Sequence, residues 1–216
     1  MSPNNDLPNS THPSPSNPPT MQYLALPVEV IESVIDRCSR DTKTLLAFAL
    51  TCRDLHPRSI IVLFTKVRPH SRDRLFDLCD VLKAKPERQP IVQSLSIDWD
   101  DFAPYPLLSI LPALRHITFD TYGHRPVLCH PSTLRCCRLS GTGIRSLTIE
   151  DAIFSTCTAF LQFLSAFPSI KHLTCVNLEI RQKGEASPLV QKSLSRQLRL
   201  RTLNVSVVIA CLRIDS

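Results

Sequence analysis

The sequence predicts an α/β fold in which a short helical module precedes an irregular series of strand–helix units. Three observations carry this reading. Apolar residues recur at helical spacing from Leu26 to Phe64, the pattern apolar-x-x-apolar-x-apolar appears six times from Val92 onward, and amphipathic stretches separate several of those copies.

The first helix is marked by Val30, Ile31, Val34, Ile35 and Cys38 on one side, with Glu29, Glu32, Asp36 and Arg37 on the other. Pro27 suits its opening turn, where a backbone N–H has no intrahelical partner to lose. Asp41 is placed to cap a second helix running from Thr42 to about Cys52, which is apolar on more than one side through Leu45, Leu46, Phe48, Ala49 and Leu50. A third helical piece, Arg58 to Phe64, follows Pro57. A unit of about 40 residues is marginal without a neighbour to cover it. Leaving half a dozen Leu, Ile or Val side chains uncovered forgoes on the order of 10 kcal/mol. The cover is either another protein or the downstream part of the same chain.

Leu26-Pro27-x-Glu29-Val30-Ile31-x-x-Val34-Ile35, followed by Leu45-Leu46-x-Phe48-Ala49-Leu50-Thr51-Cys52-Arg53, resembles the F-box, the motif by which substrate receptors dock on the Skp adaptor of cullin–RING ubiquitin ligases. Where many F-boxes carry Trp after the Cys-basic pair, this chain has Leu55, which keeps an apolar plug. The resemblance implies adaptor docking through Leu26, Pro27, Val30, Ile31, Ile35, Leu45, Leu50, Cys52 and Leu55. It also implies a Skp–cullin–F-box ligase role with a protein substrate as second partner.

The 216 residues, 43% hydrophobic and 20% charged, are enough for a globular core. The net charge of +6 comes from Lys and Arg scattered along the chain, which does not identify nucleic acid as a partner. No apolar run reaches membrane-spanning length and no secretory signal pattern opens the chain, so a soluble cytoplasmic or nuclear protein is expected. Nine cysteines, an odd number at irregular spacing, are expected as reduced thiols.

Residues 1–20 are rich in Pro, Asn and Ser and read as a disordered tail. Residues 21–66 hold the F-box-like helices. Residues 67–90 form a link whose amphipathic helix, Ser71 to Lys85, ends before Pro86 and Pro90. The remainder, 91–216, carries the repeats.

Their copies are Val92/Leu95/Ile97, Leu114/Ile117/Phe119, Leu134/Cys137/Leu139, Ile144/Leu147/Ile149, Ile170/Leu173/Cys175 and Leu200/Leu203/Val205, each expected as a short strand with one buried face. Helical segments are expected at Pro106–Leu111, Thr156–Phe167 and Pro188–Leu198. The copies start 22, 20, 10, 26 and 30 residues apart, mostly near the period of a leucine-rich repeat. The gap of ten implies two strands joined by the Gly141-Thr142-Gly143 turn. Repeats of this kind resemble the short, irregular leucine-rich-repeat-like solenoids attached to many F-box proteins, fungal ones especially. The last strand, Val205 to Ile214, has no polar cap after it, as expected of a short product or an exposed final edge.

Catalytic and metal chemistry is weakly signalled. Cys129-His130 and Cys136-Cys137 offer soft ligands, but neighbours on a strand point to opposite faces, so no metal site is expected. No Gly-x-Ser-x-Gly elbow and no phosphate-cradling loop occur among only four glycines, so neither an enzyme nor a cofactor is expected. His116 and His172 sit at matching positions of two repeats, pointing away from the buried residues, and Trp99 lies among Asp98, Asp100 and Asp101. The competing reading of the whole is a leucine-rich-repeat interaction scaffold without a ligase role, its helices serving as a terminal cap.

Overall fold

The computed structural model describes residues 26–98, 104–121, 126–127, 130–182 and 199–207. The chain is α/β. Three ten-residue helices open it: α1 (Val28–Arg37), α2 (Thr42–Thr51) and α3 (His56–Thr65). Pro27 stands just before α1, and the Asp41 carboxylate caps α2 by accepting from the Thr44 backbone N–H at 3.1 Å and from the Thr44 hydroxyl at 2.7 Å. Those two bonds, the hydroxyl's first, hold the Asp41 carboxyl below its ordinary range.

Strand β1 (Lys66–Val67) and helix α4 (Arg72–Ala84) then lead through a 3-10 turn at Pro86–Ile91 into β2 (Ser94–Asp98), α5 (Tyr105–Leu108) and β3 (His116–Asp120). Helix α6 (Pro131–Ser140), strands β4 (Ser146–Glu150) and β5 (Ile153–Thr156), helix α7 (Cys157–Leu164), and strands β6 (His172–Gln182) and β7 (Thr202–Val207) complete the described chain. The strands form one parallel sheet in the order β1-β2-β3-β4-β6-β5, with β7 also paired to β6.

Its register holds from β2 through β6 and shifts once, between Val176 and Leu178 of β6 where it pairs with β7. Leu95, Ile117, Leu147, Leu173 and Leu203 stand in one row, and Ile97, Phe119, Ile149, Cys175 and Val205 in another. All but the two β7 members are buried, covered by Leu75 and Leu82 of α4, Leu107 and Leu108 of α5, Cys137 of α6 and Phe163 and Leu164 of α7. Phe163 packs edge-on to Phe119 at 5.4 Å and to Phe167 at 5.3 Å between ring centroids.

The same backbone joint recurs at the starts of β3, β4, β6 and β7. Two successive N–H groups donate to the carbonyl just before the neighbouring strand: Arg115 and His116 to Gln93, Arg145 and Ser146 to Arg115, Lys171 and His172 to Arg145, Arg201 and Thr202 to Lys171. The positions after the paired residues Glu150 and Val176 repeat as well, the second lying inside β6. Asp151 and Asn177 both take φ of 53°, a conformation that Asp and Asn tolerate better than most residues, and the Asn177 amide donates to the Asp151 carboxylate at 2.8 Å.

One sequence expectation is corrected. Leu134 to Leu139 is not a strand but the body of α6. Pro131 occupies its first turn and the His130 ring accepts from the Ser132 N–H. Leu134 and Cys137, three residues apart, fit a helix as well as a strand pattern, and Leu139, the residue that completed the strand reading, is 71% exposed. The correction also removes the gap of ten: the aligned residues of β2, β3, β4, β6 and β7 lie 22, 30, 26 and 30 positions apart. Gly141–Gly143 is a 3-10 turn ending α6 rather than a link between strands. The expected tail at 1–20, the helix at Pro188–Leu198, Trp99 and Cys129 lie outside the described residues.

Candidate docking face

The three N-terminal helices have a small core of their own. Ile35 of α1, Leu45 and Ala49 of α2 and Ser59 of α3 are buried, and none of them joins the large cluster beneath the sheet. Two polar links fasten the helices. Arg58 forks onto Asp36, Nε to Oδ1 at 2.8 Å and Nη2 to Oδ2 at 2.5 Å, tying α3 to α1. The His56 ring meets the Ala49 carbonyl at 2.7 Å, tying α3 to α2. Among the described residues the Ser59 hydroxyl is buried without a hydrogen-bond partner, a destabilising feature in so small a core.

Periodicity explains why so much apolar surface is left over. Residues four apart share a helix face. On α1, Ile31 and Ile35 turn inward while the adjacent stripe, Val30 and Val34, stays exposed. On α2, Leu45 and Ala49 turn inward while Leu46 and Leu50 stay exposed. Each helix therefore carries two neighbouring apolar stripes and buries one. Leu26, Val28 and Ile61 add to the exposed set. Leu50 is 83% exposed, against 1% for Leu45 five residues earlier.

The nine residues expected to dock divide along this line. Leu26, Pro27, Val30, Leu50 and Cys52 are exposed, Ile31 and Leu55 are half-buried, and Ile35 and Leu45 belong to the small core. Val28, Val34 and Leu46 were missed as face residues. Continuing the outward stripe by four from Val30, or back by four from Leu50, finds two of them.

Other candidate groups stay apart. His116 and His172 are exposed, with the His172 ring 2.7 Å from the Thr202 hydroxyl. Cys136 and Cys137 are consecutive on α6, not on a strand; Cys137 is buried, and burial pushes its thiol up to about 12. Burial likewise pushes the Cys175 thiol up to about 11. Among the described residues no three His, Cys, Asp or Glu side chains gather as metal ligands, and no helix is long and apolar enough to cross a membrane.

No known family and no curated protein matches the sequence.

Proposed function

We propose that this chain is a substrate receptor of a Skp–cullin–F-box ubiquitin ligase. Its three N-terminal helices act as an F-box docking on a Skp-type adaptor, and its strand–helix units act as a leucine-rich-repeat-like solenoid presenting a surface to a protein target. The observation that carries this reading is the doubled stripe on α1 and α2. Val30, Val34, Leu46 and Leu50 form helix surface that nothing in the chain covers among the described residues, and a second protein is the natural cover. A terminal cap of a free-standing scaffold would instead have those stripes packed on the sheet.

The in-register rows and recurring joints support the repeat half of the reading. Under it the receptor performs no bond chemistry; holding a target beside the ligase raises the effective concentration of the reacting groups. Replacing Val30 and Val34, both exposed, by Asp is expected to abolish co-purification with a Skp-type adaptor while the helices and the sheet stay folded. Unchanged co-purification would overturn the assignment.

A further inference from the structure

A cleft of about 480 Å³ opens where the helical module meets the first edge of the sheet, within the size range of small-molecule sites. It is lined from four directions: Ser39 and Thr42 around the turn between α1 and α2, the end of α3 with Phe64, strand β1 with the residues after it, and α4 with Arg74 and Leu78. None of the exposed stripe residues of the docking face lines it.

Its chemistry is one-sided. Lys66, Arg68, His70 and Arg74 all line it, and among the described residues no Asp or Glu does. Arg68 is turned to Asp120, with Nη2 2.6 Å from the carboxylate, and Arg74 has only a loose, exposed partner in Asp77 at 3.8 Å. The Lys66 and His70 side chains have no hydrogen bond or ion pair among the described residues. Two hydroxyls, those of Ser39 and Thr42, stand on the facing wall. The floor is apolar and incompletely covered: Leu45 is buried, while Val62, Phe64, Val67 and Leu78 are half-buried. Basic side chains and hydroxyl donors around a half-buried apolar floor suit a ligand with a charged end and a greasy end.

We propose that this cleft binds a small amphipathic anion, a phosphate or carboxylate carried on an apolar body. Lys66, His70 and Arg74 hold the anion with the Ser39 and Thr42 hydroxyls, and the apolar body lies against Phe64 and Leu78. A ligand seated there touches α2, α3, β1 and α4 together, so it stabilises the joint between the helices and the sheet. The proposal is independent of adaptor docking and stands or falls by itself.

The test is a titration of the full chain, read by amide chemical shifts, with phenyl phosphate, benzoate, inorganic phosphate and benzyl alcohol. Phenyl phosphate or benzoate is expected to bind at least tenfold more tightly than both inorganic phosphate, which lacks the apolar body, and benzyl alcohol, which lacks the charge. The tighter of the two identifies the anion class. Lys66→Ala with Arg74→Ala, both exposed and so compatible with folding, is expected to weaken that binding at least tenfold, whereas Arg135→Ala on α6 leaves it unchanged. Binding no tighter than that of inorganic phosphate, or binding indifferent to the Lys66 and Arg74 changes, overturns the proposal.

Discussion

Leu45 and Leu50 permit a matched experiment, because the same substitution on the same helix samples the two extremes of burial. Both lie inside α2, so the change in helix propensity from Leu to Ala is small and common to the two. Leu45 is 1% exposed, and removing a buried Leu side chain costs about 2–5 kcal/mol through lost transfer energy and the cavity left behind. Leu50 keeps most of its surface in water, so its truncation changes stability by no more than about 0.5 kcal/mol. The small core is the reason the first number is decisive. With Ile35, Leu45 and Ala49 its only buried apolar side chains among the described residues, the helical unit has little else to hold it, and Leu45→Ala unfolds it or brings it close to unfolding. Urea denaturation, followed by amide hydrogen exchange across α1–α3, measures both. Leu50→Ala is expected to lose more than tenfold in adaptor affinity against the wild type while leaving stability alone. Equal stability losses at the two positions would refute the burial argument, and a wild-type adaptor affinity for Leu50→Ala would refute the docking face.

Three further outcomes follow from particular contacts. Phe163→Ala removes the ring that touches Phe119, Phe154 and Phe167 and is expected to cost about 3–5 kcal/mol in denaturant unfolding, against less than about 0.5 kcal/mol for Arg135→Ala on the solvent face of α6. The Arg58 guanidinium hydrogen-bonds the Asp36 carboxyl and holds it below its ordinary 3.8 despite slight desolvation, so the pair's stabilisation is present above pH 4 and lost as the carboxyl protonates at lower pH. The pair is partly exposed, so Asp36→Asn is expected to cost only about 0.5–1 kcal/mol at pH 7, with a smaller difference at pH 3 or in 1 M salt. The Cys137 and Cys175 thiols are raised in the fold to about 12 and about 11 from 9.0, so their contribution is whole below pH 9 and lost as pH rises beyond it. Unfolding at pH 8 and pH 10, compared between the wild type and the Cys137→Ala/Cys175→Ala variant, is expected to show the steeper loss in the wild type; at pH 8 a maleimide should modify exposed Cys52 well before either buried thiol.

Much of the fold was legible because its signals are local. Pro27 and Asp41 mark helix starts by backbone hydrogen bonding alone, and the alternation in Leu95/Ile97 or Leu147/Ile149 fixes a buried strand face whatever lies beyond it. Leu134 to Leu139 misled because its first two apolar residues fit both periods, and the deciding groups, the His130 ring accepting from Ser132 and Pro131 in the first turn, lie upstream of the pattern. The docking face was half legible. Sequence alone shows that α2 is apolar on several sides, but Leu45 and Leu50 look alike until the packing of α3 against α2 is known. The cleft could not be read at all: Ser39, Lys66 and Arg74 are brought together only by the way α4 returns past β1.

Adaptor docking through the outward stripes of α1 and α2 is tested most directly by hydroxyl-radical footprinting of the purified chain with and without a Skp-type adaptor. The expected result is at least fivefold slower oxidation of Leu26, Val30, Leu46 and Leu50 in the mixture, with Leu139 on α6 oxidised at its original rate. Undiminished oxidation of Leu50 at saturating adaptor, or protection confined to the sheet, would contradict it.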